Sequence, residues 1–240
     1  MSGIYVASGA KILPPRHTSL GGAAPFSPLD LTPHTWLRGD MGATSTQWDD
    51  SSGNGHHVTQ PGAVNLRPVP NSSNSSYNNQ ATMDFTNGLQ WMQSAAFGAS
   101  ITQPYTVYWA GEISSGAGAT DGITVTDRML ILRSGAVCYL HAGAYGCVST
   151  TSPATKHIWC GIINGASSKW YVDKYATAEV TGDAGSHVLT GLTVGAFYDG
   201  TNCAVGSTAE LIIYTGSHSQ ANRQSVTEYM GTRYGVTITA

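Results

Sequence analysis

From His34 to Tyr214 the apolar positions fall in short runs rich in Val, Ile, Thr, Tyr and Trp, each closed by Gly, Asn, Asp or Ser. Such runs suit a pleated, half-buried strand, and the residues between them supply positive φ or side-chain hydrogen bonds for turns. The pattern predicts strands over Thr82–Phe85, Tyr105–Ile113, Ile123–Leu132, Val137–His141, His157–Ile163, Lys169–Val172, Leu192–Phe197 and Ala209–Tyr214. With edges added this makes about a dozen, with turn signals between them at Thr86-Asn87-Gly88, Asn164-Gly165, Thr181-Gly182-Asp183 and Asp199-Gly200, and hairpin and Greek-key connections follow. The period changes once. Ser219 can cap a helix whose Val226, Tyr229, Met230 and Tyr234 share one face, and Gly235 can end it.

Two stretches break the pattern. Residues 1–30 hold Pro14, Pro15, Pro25 and Pro28, with apolar clusters only at Ile4, Tyr5 and Val6 and at Ile12 and Leu13. They are expected to form an extended N-terminal arm ahead of one domain over 31–240, docking those clusters on a neighbouring subunit as an added strand. Residues 61–80, with Pro61, Pro68, Pro70 and the polar run Asn71–Gln80, are expected to be one long irregular insertion that binds or moves. Asn71 and Asn74 each begin an N-glycosylation triplet.

The order of motifs carries a resemblance. Trp36-Leu37-Arg38, Trp48-Asp49-Asp50-Ser51-Ser52-Gly53-Asn54-Gly55-His56-His57 and Gln60 come first. Met83-Asp84-Phe85 with Gly88-Leu89, Asn164-Gly165 with Trp170-Tyr171-Val172-Asp173, and Leu192-Thr193-Val194-Gly195 follow. Ala209–Tyr214 then precedes Arg223, Val226, Tyr229 and Arg233-Tyr234-Gly235. Over about 34–235 this resembles the concanavalin A-like, laminin-G-type jelly-roll domains of phage and bacterial surface proteins. The resemblance implies an all-β, antiparallel two-sheet jelly-roll sandwich with one C-terminal helix. It implies no activity, since one architecture hosts lectins, glycosidases, lyases and capsid parts.

Composition narrows the function classes. Charged residues are 10% of the chain, against about 25% in an ordinary soluble protein, and 25 Ser and 27 Thr accompany only four Lys and four Glu. A net charge of −3 with no basic run argues against nucleic acid as a partner. No run approaches the ~18 apolar residues of a spanning helix, and residues 1–30 lack the pattern of a secretory signal. A surface-type composition without a leader fits a protein released by lysis. The leading expectation is a non-enzymatic virion structural protein, a capsid decoration or cement protein or a tail or fibre component. It would sit on the virion surface, as a homo-oligomer against a capsid or tail protein of the same particle. The alternative is an extracellular carbohydrate-binding adhesion module with surface glycan as partner. A polysaccharide hydrolase or lyase is the remote alternative.

Candidate chemistry is sparse. Glu112, Glu179, Glu210 and Glu228 stand alone, without the Glu-x-Asp-x-Glu strand that retaining glycosidases of this architecture use, and no G-x-S-x-G occurs. No catalytic residue, metal centre or cofactor is therefore expected. Asp49, Asp50, Ser51 and Asn54 offer hard oxygens that either bind calcium, through Asp49, Asp50 and Asn54, or build an Asx-rich turn. His56 and His57, if in a strand, would point to opposite faces. Cys138, Cys147, Cys160 and Cys203 contain no C-x-x-C; Cys138 and Cys147 could pair across a hairpin, or all four could be buried thiols. Glycan binding would use aromatic platforms in loops, and the loop-placed candidates are Tyr77, Tyr145 and Tyr198. The six tryptophans read as core.

Overall fold

The computed structural model describes residues 25–60, 62–116, 121–124, 129–134, 136–197 and 199–240; Ile4, Tyr5, Val6, Ile12, Leu13 and Tyr198 lie outside them. The first strands are β1 (Thr35–Arg38), β2 (Gln47–Trp48), β3 (Val58–Thr59), β4 (Val69–Asn74), β5 (Gln80–Phe85) and β6 (Met92–Ser94). Next come β7 (Tyr105–Gly116), β8 (Asp121–Thr124), β9 (Met129–Ser134), β10 (Val137–Leu140) and β11 (Cys147–Ser149). The chain continues through β12 (His157–Ile163), β13 (Ser168–Val172), β14 (Val180–Gly182), β15 (Thr193–Val194), β16 (Ala204–Thr215) and one helix, α1 (Gln220–Tyr234). One sheet runs β14-β13-β12-β7-β16-β5-β4 with β1 on β16, and the other runs β11-β10-β9-β8-β15-β6-β3-β2. The neighbours pair antiparallel, so the expected all-β antiparallel sandwich with a C-terminal helix is the fold.

Alternation along the strands builds two apolar layers. In β7, Val107 and Trp109 face the space between the sheets, where they join Trp159, Trp170 and Leu211 of the same sheet and Trp48 of the other. Tyr108 and Ala110 face the opposite way, into a second cluster with Trp36, Tyr171, Ile212 and Tyr214. That second layer needs a cover, and α1 supplies it with Val226, Met230 and Tyr234. Fully burying each of these contributes about 1.5–3 kcal/mol. Ser219 Oγ accepts from the Asn222 N–H at 3.2 Å, and Gly235 ends the helix at φ 67. Residues 25–31 lie against the same side: Phe26 meets Tyr229 edge-on at 6.1 Å, and Tyr214 Oη donates to the Pro28 carbonyl at 3.1 Å. The outer face of the first sheet is thus covered, and that of the second carries no helix among the described residues.

Three expectations need correction, and one open alternative is decided. Ile123–Leu132 is two strands, β8 and β9, paired as a hairpin. Leu192–Phe197 contributes only Thr193–Val194 as strand. The stretch 61–80 is not irregular: it holds two 3₁₀ turns, Val64–Leu66 and Ser75–Tyr77, and the edge strand β4, where Pro70 is tolerated at a sheet edge. Cys138 and Cys147 do not face each other, because the register sets Cys138 opposite Ser149 and Cys147 opposite Leu140; all four cysteines are buried as thiols.

Candidate functional site

The open face of the second sheet is read from its register. Gln47 pairs with Thr59, Thr59 with Gln93, and Gln93 with Thr193, placing four polar side chains in one row across β2, β3, β6 and β15. Their neighbours Trp48, Val58, Met92 and Val194 point into the core, so the row points outward. Gln47 and Thr59 are exposed, Gln93 is half-buried, and Thr193 is buried beneath it, with Gln93 Nε2 donating to Thr193 Oγ1 at 3.1 Å.

At the β10–β11 corner of this sheet stands Tyr145, 57% exposed. Its ring meets Tyr139 edge-on at 5.6 Å and His141 at 4.4 Å. Cys138 and Leu140 face the core, which turns Tyr139 to the same outer face. The 141–146 loop that carries Tyr145 is fixed to the segment 183–187 by backbone hydrogen bonds. The Ala142 and Ala144 N–H groups donate to the Ala184 carbonyl, Gly146 N–H donates to the Asp183 carbonyl at 2.8 Å, and His187 N–H donates to the Ala142 carbonyl at 2.8 Å. Gly185, at φ 98, is what lets the two segments approach: a Cβ there would lie 2.3 Å from the Ala142 carbonyl oxygen. Gln103 holds the second segment from beneath, its Nε2 donating to the Gly185 and His187 carbonyls at 2.9 and 3.1 Å. An exposed aromatic on so constrained a loop loses little conformational freedom on meeting a ligand.

Of the other two candidate tyrosines, Tyr198 lies outside the described residues and Tyr77 does not serve this role. Tyr77 is fully buried; its Oη donates to the Ser207 carbonyl at 3.3 Å and its ring packs edge-on against Tyr234 at 6.3 Å. Its polar neighbours read as a loop, but the Ser75–Tyr77 turn folds the ring inward beneath α1. Tyr139 and His141 were missed as partners of Tyr145, although the alternation of Val137, Cys138, Tyr139 and Leu140 was the signal for them. Trp91 was grouped with the core tryptophans, yet it keeps part of its surface exposed while the other five are buried.

The acidic turn at 49–54 is built around Asp50. Its carboxylate accepts from the Trp36 N–H at 2.8 Å, the Ser52 N–H at 3.0 Å, the Ser52 hydroxyl at 2.7 Å and the His56 N–H at 2.9 Å. Burial opposes ionisation there, but these donors hold the carboxyl below the usual carboxylate range. This is the Asx-rich turn, with the Asp50 oxygens engaged by backbone and hydroxyl donors. Asp49 accepts from Gln47 Nε2 at 2.6 Å, and Asn54 Nδ2 donates to the Pro33 and His34 carbonyls. His56 and His57 precede β3 and lie outside any strand; His56 stacks on His34 at 4.2 Å and His57 Nδ1 accepts from the Asp50 N–H at 3.1 Å. Among the described residues no group of three or more His, Cys, Asp or Glu is placed to hold a metal ion.

A groove of about 590 Å³ opens on the opposite side, between Phe26, Gln80 and the Tyr229 edge of α1. Much of its polar lining is committed within the chain: Arg233 to Asp40 at 2.6 Å, Glu228 to Gln224 at 2.9 Å, and Asn78 to the Arg233 carbonyl at 3.2 Å. Behind it lies Glu210, fully buried on β16. Burial pushes its carboxyl up to about 7, against the Trp36 indole and the Tyr234 hydroxyl that donate to it.

No family model matches the chain, and no curated protein does. Solved structures do. The receptor-binding domain of botulinum neurotoxin D superposes with a TM-score of 0.59 at 9% identity, over 84% of this chain and 53% of that one. Domain 4 of AbnA, a GH43 extracellular arabinanase from Geobacillus stearothermophilus in complex with arabinotriose, gives 0.54 at 12%, over 80% of this chain and 97% of that domain. Trypanosoma rangeli sialidase in complex with the inhibitor DANA gives 0.52 at 9%, over 80% and 32%. The chain thus spans a third of the sialidase, about half of the neurotoxin domain and nearly all of the arabinanase domain. At such identities the likeness is one of fold, and it is to β-sandwich domains of the jelly-roll kind.

Proposed function

We propose that the chain is a carbohydrate-binding β-sandwich module that meets its glycan on the open face of the second sheet. The observation that carries this is Tyr145, an exposed ring on a loop fixed by four backbone hydrogen bonds, at the corner of a face lined with amides and hydroxyls. Sugars offer an apolar ring face to an aromatic plane and hydroxyls to amide and hydroxyl partners; Tyr145 supplies the first at one corner of the face, and the Gln47, Thr59, Gln93 and Thr193 row supplies the second across its other strands. The arabinotriose bound to the AbnA domain, of which this chain covers 97%, supports the same reading. These neighbours favour glycan binding over the particle-coat role that the composition pointed to first. Gln47, Thr59, Gln93 and Thr193 are uncharged, which suits a neutral sugar.

The test is calorimetric titration of the full chain with arabino- and gluco-oligosaccharides, after a glycan-array screen. Binding by the native chain and a loss of about tenfold in Tyr145→Ala is the expected result, since an aromatic stacking contact is worth about 1 kcal/mol or somewhat more. Tyr145→Phe should retain most of the affinity. Absence of binding to every neutral glycan at millimolar concentration would sink the proposal.

A further inference from the structure

We infer that Trp91 is a second sugar platform on the same face, so that the module grips an extended neutral polysaccharide chain and does not read a single terminal sugar. This rests on the carbohydrate-binding reading above. Met92 is buried between the sheets and Gln93 points outward, so the two-residue alternation sets Trp91 on the outer face with Gln93. Its backbone is held from both sides, its N–H donating to the Leu66 carbonyl at 3.3 Å and its carbonyl accepting from Gln60 Nε2 at 3.1 Å. The indole is backed by the turn at Gly200, whose φ is 74; a Cβ at Gly200 would lie 2.6 Å from the ring. Only glycine allows that turn to press against the indole, so the ring is fixed before any ligand arrives. Asp199, next to Gly200 in that turn, has a carboxylate that accepts from the Thr201 N–H and hydroxyl. A fixed, partly exposed tryptophan repeats the fixed aromatic ring of the Tyr145 corner.

Geometry separates the two platforms. The row Leu140, Ile131, Ile123, Val194, Met92 crosses from β10 to β6, and the Tyr145 loop and Trp91 leave that row in opposite strand directions. β10 and β6 are four strand spacings apart, roughly 19 Å before the offset along the strands is added. No single sugar touches both rings. A chain of several units lying diagonally across the face would touch both, passing the Gln93–Thr193 pair on the way.

The experiment is calorimetry on the full chain with a neutral oligosaccharide series from mono- to octasaccharide, for the native protein and for Trp91→Ala, Trp91→Phe and Tyr145→Ala. Affinity is expected to climb with chain length. Trp91→Ala should lose about tenfold toward the octasaccharide and little toward the disaccharide, and Trp91→Phe should recover much of it with a melting temperature close to that of the native chain. Affinity independent of length, or an octasaccharide bound equally well by Trp91→Ala while Tyr145→Ala has lost it, overturns the extended-chain inference and leaves the glycan module standing. Equal loss toward short and long ligands with a lowered melting temperature also overturns it, by making Trp91 a structural residue. Failure of the native chain to bind any member of the series removes the carbohydrate reading beneath it.

Discussion

Asp50 shows how one side chain can hold several segments together. Its two oxygens take hydrogen bonds from Trp36 on β1, from Ser52 in the turn and from His56 at the end of the loop, and its side chain is shielded from solvent. Removing the acceptor leaves buried N–H groups unpaired, each costing about 1–3 kcal/mol. Asp50→Ala is therefore expected to destabilise the fold by about 3 kcal/mol or more in urea unfolding, and Asp50→Asn by less, because one acceptor oxygen survives. The same saturation bears on the calcium alternative. With the carboxylate engaged by four internal donors, millimolar calcium or its chelation should leave the melting temperature unchanged; a rise on adding calcium would assign the turn to a metal. Tyr77 makes the complementary point. Asn and Ser on both sides made it read as a surface loop, and only the long-range partners Ser207 and Tyr234 account for its burial.

Elements were legible where local chemistry and long-range packing agree. The helix announced itself through Ser219, Gly235 and the spacing of Val226, Met230 and Tyr234, all of which the cap geometry and the buried face reproduce. The hairpin of β8 and β9 was not legible, because Ile123–Leu132 contains neither Gly nor Pro to mark a turn. β4 hid behind Pro70, which forbids a central strand but suits an edge. The candidate site was half legible: Tyr145 was named, while the hydrogen bonds that stiffen its loop come from residues about 40 positions away and leave no local trace. That stiffness is testable at Gly185. A β-branched side chain there collides with the Ala142 carbonyl, so Gly185→Val must push the two segments apart. The expected result is a drop of about 1–3 kcal/mol in stability together with weakened glycan binding, although residue 185 belongs to the supporting segment and Tyr145 itself is untouched. Unchanged affinity in Gly185→Val would show that the loop needs no support.

At the scale of the whole molecule, the sandwich has two outer faces with different fates; Glu210 and His218 are buried on the covered side, and His34 is half-buried at the β1 end. Glu210 is buried between β16 and α1, with its carboxyl raised from 4.5 to about 7, chiefly by burial. His34 and His218 go the other way, each lowered from 6.5 to about 4 by burial, helped by the charge of His56 for His34 and of Arg223 for His218. A raised carboxyl binds its proton more tightly in the folded chain, so its contribution is present below 4.5 and is lost as pH rises through 7. A lowered imidazole favours the neutral form in the folded chain, so its contribution is present above 6.5 and is lost as pH falls toward 4. Between 4.5 and 6.5 two histidines oppose one carboxylate, and stability falls on acidification. From 6.5 to 7 only the carboxylate titrates, and stability falls on alkalinisation. The expected melting temperature therefore peaks close to pH 6.5. Glu210→Gln should abolish the alkaline decline and leave the acid limb in place, steepened because the opposing carboxylate is gone. Melts of both proteins from pH 4 to 9 decide it: a native curve that keeps rising from 6.5 to 8, or one that Glu210→Gln leaves unaltered in shape, would mean that Glu210 is ionised throughout beneath the helix.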